Sequence, residues 1–176
     1  MSMAKRLRFL IASLLVSGMA LAQSQQAIRD QIFGETDVVK KHADTLNAKM
    51  LAPGAYTEGL ELYVSAGETL EKGKDLDRVR EEVGEAKGHF QHSVEAAELT
   101  QVTFANALAA RKAAETAESA KFAEREWGKA EESLVSAAET LEGGNLKKAG
   151  NSAVDVEKLY REAEAKSVNS KAKATK

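Results

Sequence analysis

Apolar and small residues recur along the chain in steps of three and four. Tyr56, Gly59, Tyr63, Ala66 and Leu70 form one such series, and Trp127, Ala130, Leu134, Ala137 and Leu141 form another. Leu76, Val79, Val83, Ala86 and Phe90 continue the pattern, as do Leu146, Ala149, Ala153, Val156 and Tyr160. A 3-4 step keeps a narrow stripe on one face of an α-helix, the seam of coiled-coil-like packing. Many stripe positions are Ala or Gly, so helix axes approach closely and aromatics fill the wider gaps. No long period-two alternation competes, and the single Pro and scarcity of β-branched runs argue against a sheet. The fold class expected is all-α.

Turn chemistry divides the stripes. Gly73 and Gly143-Gly144 suit left-handed C-terminal caps, and Asp75 and Asn145 suit the N-caps of the helices that follow. Ala52-Pro53-Gly54 breaks a helix, with Pro53 early in the next one. Glu124 stands where Pro53 would be in the second series, which predicts a weaker break there. Between Leu76 and Ala120 there is no Pro and no paired Gly. A single helix of about 45 residues, roughly 65 Å long, is therefore expected across that stretch.

The series are related. Val64-Ser65-Ala66-Gly67-Glu68-Thr69-Leu70-Glu71 matches Val135-Ser136-Ala137-Ala138-Glu139-Thr140-Leu141-Glu142 at a separation of 71. The same offset pairs Ile28 with Leu99, Phe33 with Phe104, Lys41 with Lys112, Ala52 with Ala123 and Tyr56 with Trp127. After a one-residue gap, Leu76 pairs with Leu146 and Phe90 with Tyr160. The expected architecture is an elongated helical bundle of two tandem three-helix repeats sharing the long central helix or folded back on it. The repeats span 23–98 and 99–168. A basic tail over 169–176, with Lys171, Lys173 and Lys176, lacks apolar periodicity and is expected to be disordered.

The N-terminus has a different pattern. Lys5, Arg6 and Arg8 precede an apolar run from Phe9 to Leu21, and small residues at Ala20 and Ala22 are followed by polar Gln23 to Gln26. This is the layout of a signal peptide over 1–22, cleaved after Ala22. The run is too short for a stable membrane span, which needs about 20 residues. The expected location is therefore the periplasm, with no membrane span after cleavage. Removing 1–22 takes away three basic residues and no acid, so the remainder is more negative than the chain's formal −2. That charge argues against nucleic acid as a partner. Zero Cys excludes disulfides, thiol nucleophiles and Cys-based zinc sites.

Helices meeting at an Ala-Pro-Gly turn, followed by Glu71-Lys72-Gly73-Lys74-Asp75-Leu76 or Glu142-Gly143-Gly144-Asn145-Leu146 leading into an Ala-spaced helix, resemble a bacterial family. It is the uncharacterised alanine-rich helical domain of Gram-negative envelope proteins, often found in front of an OmpA-type domain. The resemblance covers both repeats and implies an envelope location and a helical interaction module. It carries no catalytic residues. No OmpA-type domain follows residue 168, so peptidoglycan binding is not carried over.

Candidate chemistry is sparse. Glu85, His89 and His92 share a helix face, with Glu95 in reach of His92, and imidazole with carboxylate at such spacing suits a divalent ion. Glu85 and His89 nevertheless flank the stripe by one position, and the second repeat offers Asp155, Leu159 and Glu162 instead. A solvated surface pair outweighs a metal site, and no cofactor is expected. Gly67 to Lys74 lacks P-loop spacing, and no nucleophile elbow or triad pattern occurs. Glu81-Glu82 and Glu131-Glu132 read as solvated helix faces. Nothing in the chain indicates an enzyme. The leading expectation is a periplasmic structural or adaptor protein presenting helix faces to an envelope protein partner, with a homo-oligomer open. The alternative is a chaperone-like or hydrophobic-ligand-binding helical protein. Tyr56 and Trp127 are expected to be buried, and would be partner anchors only if exposed.

Overall fold

The computed structural model describes residues 25–174, and the segment read as a signal peptide with its cleavage site lies outside them. The described residues are helical almost throughout and contain no strand. Eight helices follow in order: α1 (25–45), α2 (Ala48–Leu51), α3 (Pro53–Glu71), α4 (Leu76–Thr103), α5 (Ala105–Thr116), α6 (Ser119–Phe122), α7 (Glu124–Glu142) and α8 (Leu146–Ala174). None of these is long and apolar enough to cross a membrane.

The turns follow from local chemistry. After α3, Gly73 adopts φ 64°, its N–H reaches Leu70 O and the Lys74 N–H reaches Thr69 O. Gly144 at φ 81° does the same after α7, with bonds to Leu141 O and, from Asn145, to Thr140 O. Both are Schellman closures, in which glycine takes the left-handed region without a Cβ penalty. The next helices are capped as expected: Asp75 accepts from the Arg78 N–H and Asn145 from the Lys148 N–H, each at 3.1 Å.

The short turns α2 and α6 are entered through left-handed Asn47 and Glu118, and left through Ala52 (φ −150°) and Ala123 (φ −143°). The break before α7 is thus as sharp as the one before α3, contrary to the expectation from Glu124. Proline is not what makes it. The left-handed residue ends the preceding helix, and the extended alanine redirects the chain.

The long helix is also interrupted. α4 ends at Thr103, Phe104 sits at φ −105°, ψ 19°, and α5 continues from Ala105. Four residues before the interruption, the Thr100 hydroxyl shares its one proton between Ala96 O and Leu51 O, each at 2.8 Å. The bend lets Phe104 sit fully buried while α4 packs on α3 and α5 on α8.

Three apolar clusters make the core. Phe33, Ala66, Val79 and Val83 form one, and Ala43, Leu51, Tyr56, Ala86, Phe90 and Ala97 belong to the next. The third gathers Phe104, Ala107, Leu134, Leu141, Val156 and Tyr160. Met50 and Leu108 touch both larger clusters and join them. The stripes point inward as expected, except that Leu76 and Leu146, at the starts of α4 and α8, are exposed. At Gly59 α3 lies close against α4. A Cβ there would stand 3.1 Å from His89 Cβ and Phe90 Cδ1.

The tail reading needs correction. α8 continues to Ala174, so residues 169–174 are helical and not a disordered segment. Buried Ser167 donates to Ala117 O, and Lys171 Nζ lies 2.8 Å from Glu118 Oε1 and 5.2 Å from the Phe122 ring centroid. The signal missed was polar: a hydroxyl and an ammonium at i and i+4 reaching back to the α5–α6 corner.

Candidate functional site

The densest polar chemistry lies between helices, where each tyrosine hydroxyl donates to a carboxylate that also accepts from a cation. Tyr160 on α8 donates to Glu131 Oε1 on α7 at 2.6 Å, and Arg111 on α5 grips the same carboxylate through Nε at 2.7 Å and Nη2 at 3.0 Å. Arg111 also lies over the Trp127 ring, 5.3 Å from its centroid. In the first half, Tyr63 donates to Asp37 at 2.6 Å while Arg29 bonds both Asp37 and the Tyr63 hydroxyl oxygen. Tyr56 donates to Asp44 at 2.5 Å, and Lys40 pairs with that carboxylate. Burial first, and the carboxylate bond second, push all three phenols above their ordinary range. Held protonated and engaged, they tie helices together and do not offer a base or nucleophile at neutral pH.

Glu131 was expected on a solvated face and is instead half-buried and saturated. Glu82 departs in the same way. It is buried, with Oε1 accepting from Arg78 Nε at 2.8 Å and Oε2 without a partner among the described residues. Charge and periodicity alone could not separate these two acids from their exposed neighbours Glu81 and Glu132.

The histidine set does not assemble. His89 Nδ1 turns to Glu58 Oε2 at 3.0 Å, while Glu85 and His92 are exposed on α4. Among the described residues no group of three or more His, Asp or Glu side chains is placed to hold a metal.

Of the two candidate anchors, Tyr56 is buried and meets Phe90 edge-on at 5.6 Å. Trp127 is only half-buried, contrary to expectation, with its ring 5.6 Å from that of Tyr160. The Arg111 guanidinium covers one face of the indole, and the rest of the ring meets water.

Two surface features remain as contact candidates. Val102 and Val154, 78% and 53% exposed, flank one shallow groove at the α4–α5 bend over α8. A pocket of about 410 Å³ opens where α1 meets the end of α3, lined by Ile28, Arg29, Leu70, Glu71 and Leu76 among others. Comparison with protein-family models, with curated proteins and with solved structures finds no match for this chain.

Proposed function

We propose that this is a periplasmic structural or adaptor protein built from two copies of one three-helix unit, presenting a helix face to an envelope protein partner. The observation that carries the reading is the pair of exposed valines, Val102 and Val154, on one groove at the α4–α5 bend. Apolar side chains left in water beside a helix crossing suit a partner helix laid along it. The signal-peptide pattern of residues 1–22 and the resemblance to envelope alanine-rich domains support the location.

The two-unit part of the reading draws on matching local geometry. Ala48–Leu51 and Ser119–Phe122 are both single turns, Pro53–Glu71 and Glu124–Glu142 both 19-residue helices, and Asn47 and Glu118 both left-handed. Thr45 and Thr116 each bond back to the lysine carbonyl four residues earlier. Replacing residues 117–123 by the sequence of 46–52 tests it: equivalence predicts a chain that keeps its helicity and cooperative melt, and collapse of the fold would reject it.

A photo-cross-linking residue at position 102 or 154, introduced in cells, tests the adaptor role. A discrete adduct from these two sites and none from exposed Glu81 is expected. Uniform labelling from all three would remove the reading. The pocket lined by Ile28, Leu70 and Leu76 favours the second reading, a binder of apolar ligands or unfolded clients. That reading requires suppression of aggregation of unrelated proteins, which an adaptor does not give.

A further inference from the structure

We propose that the protein is sealed at both ends against head-to-tail association with a second copy, and that the last turns of α8 form the seal at one end. The proposal rests on the two-unit reading above. The contact between units places the end of α7 on the α2–α3 corner: Glu142 accepts from the Gly54 and Ala55 N–H groups, and Thr100 donates to Leu51 O. The residues at this corner are small: Ala52 clusters with Ala96 and Ala97 at the end of α4, and Gly54 and Ala55 take the Glu142 carboxylate. A Cβ at residue 54 would stand 2.9 Å from Glu142 Oε2. Each unit therefore has a corner at one end and a glutamate-bearing acceptor at the other. Such an interface between identical parts would repeat without closing.

Among the described residues this contact leaves unused the acceptor around Leu70 and Glu71 and the corner around Ala123 to Glu126. Both are changed. Gln25, Gln26 and Arg29 stand where the inner joint has Ala96, Ala97 and Thr100. Glu124, Arg125 and Glu126 stand where it has Pro53, Gly54 and Ala55, so Arg125 brings the Cβ that Gly54 lacks, and in a docked copy Glu126 would set a carboxylate towards Glu71. Bulky polar outer faces in place of small inner ones are how stacked units are stopped.

The α8 segment adds an obstruction. Residues 96–104 serve both units, and their counterparts at the ends are 25–33 of α1 and 166–174 of α8. A second copy docking by the same geometry would lay its residues 25–33 where 166–174 already lie. Ser167 and Lys171 hold that place through Ala117 O and the Glu118 carboxylate, which the ammonium keeps below its ordinary pKa range. The incoming copy would offer Asp30 in place of Lys171, setting like charges together.

Sedimentation velocity tests this. The chain beginning at Gln23 is expected to run as a monomer from micromolar to near-millimolar concentration. A joint-like variant lacks residues 167–176 and carries Gln25→Ala, Gln26→Ala, Arg125→Gly and Glu126→Ala. It is expected to sediment faster as concentration rises, and Glu71→Ala added to it should restore the monomer. If it loses its helical circular dichroism, Ser167→Asp with Lys171→Glu in the full-length chain, with the same four changes, loosens the segment instead and carries the same expectation. Glu71-dependent oligomers of the unaltered chain, or a folded joint-like variant that stays monomeric, would overturn the proposal. The 117–123 exchange reports separately on the two-unit reading, so the two failures are distinguishable.

Discussion

The carboxylate of Glu142 accepts the backbone N–H of both Gly54 (3.0 Å) and Ala55 (2.6 Å), closing the first turn of α3 from the far end of α7. α3 has no side-chain cap of its own, because Ala52 precedes it. The contact therefore supplies two orphan donors with an acceptor and fixes one half of the molecule on the other. Glu142→Ala is expected to cost about 1–2 kcal/mol, the usual worth of an N-cap. Glu71→Ala, at the matching end of α3, should stay within about 0.5 kcal/mol, as for an ordinary surface change. Urea unfolding followed by circular dichroism measures both, and equal costs would mean that the cap does not join the halves.

A second expectation concerns Glu131. Removing it leaves the Tyr160 hydroxyl and the Arg111 guanidinium without their shared acceptor inside the α5–α7–α8 packing. Glu131→Ala should cost about 2–3 kcal/mol, against less than about 0.5 for the adjacent, exposed Glu132→Ala. Combined with Tyr160→Phe, the loss should fall well short of additive, because both changes break one bond. Additive losses would show that the hydrogen bond contributes nothing of its own.

These two sites show what the sequence carried and what it did not. Period and turn chemistry are local, so the stripes, the Gly73 and Gly144 caps and the Asp75 and Asn145 N-caps were legible from residues within a few positions of one another. The role of Glu142 depends on Gly54, 88 residues away, and nothing near Glu142 distinguishes it from Glu71. Glu131 likewise differs from Glu132 only in which helix it faces. The interruption at Phe104 was missed because neither Pro nor Gly marks it. The histidine cluster looked plausible because helical spacing says which residues share a face, not where a neighbouring helix draws one of them, as Glu58 draws His89.

The tyrosines give a pH signature. Tyr56, Tyr63 and Tyr160 are the chain's only three, and all have raised pKa values in the fold, from burial first and a carboxylate partner second. A raised folded-state pKa means the folded form holds its proton longer than the unfolded one. The stability linked to it is fully present below the unfolded value near 10 and is lost as pH rises beyond that. Ultraviolet titration of the native protein should show less tyrosinate at pH 10 than the unfolded chain gives, with Tyr160 the last to ionise. Ionisation of Tyr160 should then come with loss of helicity. Independent ionisation of any of them near pH 10 with the fold intact would contradict the hydrogen-bonded placement.

Shortening α8 gives a stability test of the corrected tail. Deleting residues 167–176 removes the Ser167 bond to Ala117 O and the Lys171 cover on Glu118 and Phe122. A loss of about 1–2 kcal/mol is expected, from one buried hydrogen bond and some apolar cover. An unchanged melting temperature would return the segment to the status of a frayed end.

Trp127 and Tyr56 occupy matched stripe positions but different environments. Tyr56 is nearly inaccessible, packs on Phe90 and donates to Asp44, whereas Trp127 is half-buried between Tyr160 and the Arg111 guanidinium. Full burial of a large aromatic makes its truncation cost about 3–5 kcal/mol, so Tyr56→Ala should fall in that range. Trp127→Ala should cost less, about 2 kcal/mol, because part of its surface already meets water and its contacts are an aromatic pair and a cation–π contact. The single indole reports on this directly: its native emission should lie between those of buried and aqueous tryptophan, shift red on unfolding, and be partly quenched by acrylamide. Arg111→Lys keeps the charge but loses the planar stacking and the two-point grip on Glu131, so it should increase quenching of Trp127 more than it lowers stability. Fully shielded emission insensitive to Arg111 would place Trp127 in the core after all. Fully aqueous emission would show that the contacts with Tyr160 and Arg111 are not held, leaving the whole ring available as a partner anchor.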